Sequence, residues 1–531
     1  MNTLALRSWA GDKRDRLRRQ IAHTSRPAWL VAVAVIVFAA VFGSLGVRNQ
    51  RNFGTWAYDM GIYDQAIWLL SRGHAFISVR GMNFWGHHFN PLLLLFVPFY
   101  WLGAGPSFLY VVQACVLGLG GVPVYLIARD KFKNPWMGLL FTVAYLMYAP
   151  VQWISWAMFH PEALVITPFL FAWWFATKER WGWFFAMVLL ALSTREDTAL
   201  AVIMMGLVLL VYMRNAPDYR RVVNRCVGVI VLAAVWYVGY TKLMLPYFND
   251  GKEPFYITLF YGNYGDSTPA IVSEIVRHPN RVVSDAVQPD RLTFYKQMSW
   301  PMGWLYLANP LGLLMALPQL LASVIGQSPY ARMIRYQYTS VMIAPMMIAS
   351  IHGAFVFWKF KVARTVLPIW LLLCSYTTNV AWSPSPLNDT PSGYGVWSGY
   401  HPRHDSLRIA LTYIPDDASV SASYQLGPHI SHRLHIYDWP NPFWASVWGN
   451  DDCAHIPDPT TVDYIALDLS QIGEGRNRTL FENMVKVGGP FEPVYMDDNV
   501  IVAKRVGTSP EVDVRPQQDS CQELALRHGS G

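Results

Sequence analysis

The chain reads as a mainly α-helical, polytopic membrane protein that ends in a small α/β domain. Three observations lead there. Of 531 residues, 53% are hydrophobic and only 15% charged, whereas a soluble chain carries about 25% charged residues. Apolar runs near the roughly 20 residues that cross a bilayer recur through the first two-thirds. From about residue 383 the composition turns polar, and short β-rich runs replace the long apolar ones.

The first apolar run, 28–47, follows Arg7, Lys13, Arg14, Arg16, Arg18, Arg19 and Arg26. No small-residue cleavage site follows it, so it reads as an uncleaved anchor behind a basic N-terminus (1–27) on the cytoplasmic side. Orientation then propagates along the chain. Arg129, Lys131 and Lys133, then Lys178 and Arg180, then Arg214, Arg220, Arg221 and Arg225 fall in inside loops. Long external loops are expected at 48–105 and 248–291. In the first of them Asn90-Pro91 opens an apolar run, 92–102, that is too short to cross and suits the interface. The stretch 292–326 is read as two short spans broken at Asn309-Pro310, because only then do Lys359, Lys361 and Arg364 fall inside. The membrane domain, 28–382, is thus expected to hold about 11 spans, in a cell membrane, with the C-terminal domain extracytoplasmic.

That domain is placed at 383–505, after a Pro/Ser/Gly-rich linker. Residues 418–422, 464–467 and 500–503 are predicted strands, with a helix over 480–487. The last segment, 506–531, is polar and is expected to be disordered. The net charge of +7 resides in short loops between apolar runs, which is orientation chemistry and excludes a nucleic-acid partner. Cys115, Cys226 and Cys374 sit in or beside apolar runs as packing residues. Cys453 and Cys521 share the tail and can form one disulfide if it is extracytoplasmic. No zinc-type spacing occurs.

Chemistry concentrates at the expected outer surface. Trp56-Ala57-Tyr58-Asp59-Met60-Gly61-Ile62-Tyr63-Asp64 places two carboxylates beside the membrane, where charge is costly. On a helix Asp59 and Tyr63 share a face, and Asp64 lies about 140° away, so one acid faces a given pocket. Asp59, nearest the end of the first span, is the candidate base, against a helix-capping or interfacial role. His87 and His88, ahead of Asn90-Pro91, suit a phosphate or a divalent metal, or simply the interface. His160 is biased to extended backbone by Pro161, and Glu162 falls in the first turn of the helix that follows. Arg195, Glu196 and Asp197 precede another helix. Arg195, Arg332 and Arg335, the last followed by Tyr336 and Tyr338, suit a lipid phosphate, with snorkelling as the plain alternative. Trp56, Tyr58 and Trp85 could stack on sugars or form part of an aromatic belt.

The Tyr-Asp-x-Gly-x-Tyr-Asp-Gln motif at 58–65, His88-Phe89-Asn90-Pro91, Phe159-His160-Pro161-Glu162 and Arg195-Glu196-Asp197 together carry a resemblance. So do Arg335-Tyr336-Gln337-Tyr338, Ile414 to Val420, and Pro428-His429. The chain from about 30 to 505 resembles the polytopic proteins grouped as domain of unknown function 2079, departing at Gln337, where histidine is expected. That family is similar in layout to C-type glycosyltransferases. The resemblance implies a polyprenyl-phosphate sugar donor, a glycan, glycolipid or protein acceptor, Asp59 as base and Glu162 as the acid of the next external loop. Read from the residues themselves, Tyr63, His87, His88, His160, Arg195, Glu196, Arg332, Arg335, Tyr336 and Tyr338 are the candidates to bind the substrate. A single displacement would invert the anomeric centre. No cofactor is called for, and a divalent metal is left open. A transporter or flippase is the main rival, favoured by broken helices in matching halves, but no internal repeat accompanies the Asn309-Pro310 break. An envelope-sensing protein would not need so many spans.

Overall fold

The computed structural model describes residues 25–385, 387–388 and 400–529. The basic residues from Arg7 to Arg19 and most of the Pro/Ser/Gly-rich linker lie outside them. Helix Arg26–Arg51 begins with Pro27 in its first turn, where a missing N–H costs nothing. Its Val33, Ile36 and Val37 are exposed, as lipid-facing side chains are. The opposite stripe packs on Pro106–Leu119, and the approach is close: a Cβ on Gly46 would stand 2.3 Å from Tyr110 Cδ1. Small residues at such a contact let membrane helices gain van der Waals packing.

Among the described residues, four helical stretches are long and apolar enough to cross a membrane: Arg26–Arg51, Pro106–Phe132, Tyr219–Phe248 and Gln337–Phe357. A fifth results if Pro135–Leu146 and Ala149–Trp156, bent by 51°, count as one. The expected eleven runs therefore do not all appear as full-length helices. Trp181–Leu192 and Thr198–Tyr212 are shorter, and 12 residues of helix rise only about 18 Å against a hydrocarbon core of about 30 Å. The break at Asn309-Pro310 is present. On either side lie 3-10 turns, Leu305–Ala308 and Pro310–Ala316, followed by helix Leu317–Ile325. They lie hard against Ser340–Phe357, where a Cβ on Gly353 would stand 1.8 Å from the Leu305 carbonyl oxygen.

A short hairpin, β1 (Phe76–Ile77) and β2 (Met82–Asn83), precedes the apolar turn Pro91–Phe96, whose Leu94 and Leu95 are exposed. The C-terminal domain holds β3 (Val420–Ala422), β4 (Ile436–Asp438), β5 (Tyr464–Asp468), β6 (Phe491–Asp497) and β7 (Val500–Arg505) in the order β4-β3-β5-β7-β6. β4 and β5 both run parallel to β3, while β7 and β6 are antiparallel. β5 is buried throughout, and its side chains alternate between two cores. Ile465 and Leu467 pack with Phe481 and Met484 of helix Arg476–Val485; Tyr464 and Ala466 pack with Leu407 and Ala410 of helix Arg403–Leu411. Covering both faces is what a parallel sheet requires.

Three strands and the Arg476–Val485 helix fall near their predicted places, and β4 and β6 are additional. β6 is largely exposed, so it lacks a buried apolar run to announce it. The expectation of disorder over 506–531 is corrected: Pro510–Val514 forms one wide turn and Arg515–Gly529 a helix. Polar composition misled because the anchors are specific contacts. Cys453 and Cys521 form a disulfide, Gln517 donates to the Pro442 and Pro457 carbonyls, and Arg505 pairs with buried Asp513.

Candidate active site

The segment after the first helix does not continue as a regular α-helix. Ala57–Gly61 forms a widened π turn that runs into helix Ile62–Leu70, and such turns recur at functional sites. Asp59 lies in this turn, with its side chain 27% exposed, and its Oδ1 stands 3.2 Å from Nε2 of buried His160. His160 is extended (φ −140°, ψ 127°) ahead of Pro161, as X-Pro sterics demand. Its backbone N–H donates to Gln113 Oε1 at 3.0 Å, and Nδ1 is 2.9 Å from the Met158 carbonyl. A carbonyl only accepts, so Nδ1 carries a proton and Nε2 is the atom that shares one with Asp59. Burial opposes a charge on this ring, but the hydrogen bond and charge of Asp59, with Glu162 behind it, outweigh burial and raise its pKa above the usual value.

The two acids of the opening motif part company. Tyr63 sets its ring edge-on to His160, 5.7 Å between centroids, on the Asp59 side. Asp64 is fully buried and takes hydrogen bonds from Tyr100 and Ser431, with His432 Nε2 at 3.0 Å. Asp64 thus ties this helix to the C-terminal domain.

Next to Asp59 and His160 runs a chain of alternating charge. Glu162, 2% exposed, receives Arg195 Nη1 at 2.9 Å, and its Oε2 has no partner among the described residues. Arg195 forks onward to both oxygens of Asp197, so Asp197 holds the guanidinium instead of capping helix Thr198–Tyr212. Glu196 bonds His88 Nδ1 at 2.9 Å and the Phe89 N–H at 3.0 Å. Burial would raise the Glu196 pKa, but His88, then Arg195, hold it below the usual range. His88 stacks on Tyr256, while burial and then the charges of His88, Arg80 and His160 hold His87 well below its ordinary value, leaving it neutral near pH 7. The Tyr338 phenol lies within electrostatic reach of Asp59, Glu162 and Arg195.

Arg332 is placed elsewhere. Its Nε is 2.6 Å from Asp290, and its Nη1 donates to the Ser323 and Gly326 carbonyls. A buried guanidinium so engaged braces the loop rather than waiting for an anion. Arg335 lies over the Tyr336 ring at 5.1 Å, and Tyr336 meets Tyr330 edge-on. Among the described residues, no three His, Cys, Asp or Glu side chains gather to hold a metal.

Sequence reasoning missed what the C-terminal domain brings. Tyr424, just past β3, accepts the Ala57 N–H on its carbonyl at 2.8 Å, and its ring meets Trp56 and Tyr58 at 5.8 and 5.5 Å. Asp438, at the end of β4, interacts with the Tyr58 phenol. The residue is partly exposed but its Oδ1 is closed to solvent, and burial pushes its pKa up to about 8. Arg80 donates to the Val447 carbonyl and packs over Phe255. A polar residue at the end of a short strand is the only local signal for Tyr424 or Asp438, and many surface residues share it.

The family model for DUF2079, described as a predicted membrane protein, matches residues 51–502. Among solved structures, the crystal structure of ArnT from Cupriavidus metallidurans bound to undecaprenyl phosphate is similar at 12% sequence identity with a TM-score of 0.49. That match covers 91% of this chain and 99% of the other. No curated protein matches the chain.

Proposed function

This chain belongs to the DUF2079 family of predicted membrane proteins, and on that premise we propose that it is a membrane glycosyltransferase. It moves a sugar from a polyprenyl-phosphate donor to a hydroxyl of an acceptor outside the cytoplasm. The observation that carries this reading is the Asp59–His160 pair: a partly exposed carboxylate, oriented through one oxygen by a buried imidazole, at the end of an apolar helix.

With Oδ1 engaged by His160, Asp59 Oδ2 is free to accept the acceptor's hydroxyl proton, having no hydrogen-bond partner among the described residues. The acceptor oxygen attacks the anomeric carbon as the bond from that carbon to the phosphate oxygen breaks. Its electron pair leaves on the phosphate, releasing polyprenyl phosphate, and the anomeric centre inverts. Arg195 gives three N–H groups to Glu162 and Asp197, so two of the five in a guanidinium remain for the departing phosphate. Glu162 and Asp197 hold that cation in place, which makes them positioning residues. This site faces the extracytoplasmic side if the N-terminus is cytoplasmic, as the basic loops favour.

The test is transfer by the purified, lipid-reconstituted protein from polyprenyl-phosphate sugars to candidate acceptors, with NMR assignment of the product anomer. Asp59→Asn should fold and lose about 10²–10⁴-fold in rate, the usual scale of a general base. Full activity in that variant sinks the reading.

A further inference from the structure

The chain leaves β3 for β4 on one side, then crosses back to β5 on the other, both parallel to β3. Where successive connections diverge in this way, a crevice opens outside the carboxyl ends of the strands, and open α/β sheets bind ligands there. A cavity of about 390 Å³ occupies that place, within the size range of small-ligand sites. Tyr424 follows β3, Trp439 follows β4, Gln471 and Glu474 follow β5, and Arg476 and Asn477 open the next helix; all six line the cavity.

The donor set says what would fit. Two aromatic rings offer faces for the apolar side of a sugar ring, while amides, a carboxylate and a guanidinium offer partners for hydroxyls. A phosphate is a poorer fit. Glu474 lines the crevice, and Arg476 already stacks on Trp444 at 3.9 Å and faces Glu523 at 3.7 Å. Trp439, which lines the crevice, is 8% exposed, and its indole N–H has no acceptor among the described residues.

The crevice is also joined to the Asp59 turn. Tyr424 lines it on one side and packs on Trp56 and Tyr58 on the other, and Asp59 is near enough to act on the Tyr424 phenol. We infer that this crevice binds a glycan, and that the glycan is the acceptor whose terminal hydroxyl reaches Asp59. The acceptor role rests on the transferase reading; the sugar site does not.

The test uses the full-length protein without donor. Linear di- to tetrasaccharides of neutral hexoses, pentoses and N-acetylhexosamines are titrated by saturation-transfer NMR and tryptophan fluorescence. At least one class should bind, and Asn477→Ala and Glu474→Ala, both at exposed positions and with no side-chain hydrogen bond among the described residues, should each weaken it about tenfold, the scale of one hydrogen bond. In transfer assays the same variants should raise KM for the acceptor and leave KM for the donor unchanged. If no saccharide binds, or both variants keep the wild-type Kd, the inference is overturned. Crevice-dependent binding without transfer from any polyprenyl-phosphate sugar would uphold the glycan site and remove the transferase reading instead.

Discussion

His160 Nε2 stands 3.2 Å from Asp59 Oδ1, while Nδ1 of the same ring is committed to the Met158 carbonyl at 2.9 Å. The two contacts fix both the tautomer and the rotation of the imidazole, so Asp59 is presented in one orientation. Because the pair raises the His160 pKa above its unfolded value, its stabilisation is complete below about pH 6.5 and is lost as pH rises through the folded value. Thermal stability of the wild type should therefore fall from pH 6 to 9 relative to that of His160→Gln. Parallel pH profiles for the two proteins would show that the pair is not formed.

Arg195 carries the next prediction. Removing it with Arg195→Met leaves buried Glu162 and partly buried Asp197 without their shared cation. Breaking a buried pair costs roughly 3–5 kcal/mol, and Glu162→Gln in the same chain should recover part of that loss. A double-mutant cycle on denaturation midpoints measures the coupling. Additive losses would mean that Glu162 does not depend on Arg195.

Asp438 should make the stability of the C-terminal domain fall between about pH 4 and about pH 8. Burial raises its pKa to about 8, so the folded protein binds a proton that the unfolded chain has already released above about pH 4. Stability from this group is present below about pH 4 and falls as pH rises to about 8. Asp438→Asn should flatten that slope and melt above the wild type at pH 8. A variant with an unchanged pH slope would assign the dependence elsewhere.

The Cys453–Cys521 disulfide closes a loop with a sequence separation of 68, a constraint on the unfolded chain of roughly 4 kcal/mol. Cys521→Ser should lower the melting temperature and admit proteases to the Arg515–Gly529 helix. Its cleavage at the wild-type rate would show that Gln517 and Arg505 suffice to hold it.

Much of this site was written locally. The X-Pro rule alone makes His160 extended, and the four-residue spacing puts Asp59 and Tyr63 on the His160 side. Arg332 shows the opposite case. An arginine in an expected external segment suits a lipid phosphate, but Asp290 and two carbonyls claim Arg332. Asp290 lies in a distant segment that no local pattern connects to Arg332.

By itself the sequence determined the membrane class, the β-rich polar tail and the extended backbone of His160 ahead of Pro161. These follow from hydropathy, period and backbone sterics, which act between neighbours along the chain. The tertiary structure alone decided that Asp64 ties two domains together, that Arg195 is shared between two carboxylates, and that Tyr424 closes over the Asp59 turn. Asp64 meets Ser431, Arg195 meets Glu162 and Tyr424 meets Ala57 across long stretches of chain, so these contacts form only when the elements pack together. The identity of a partner is information that a one-dimensional pattern does not carry.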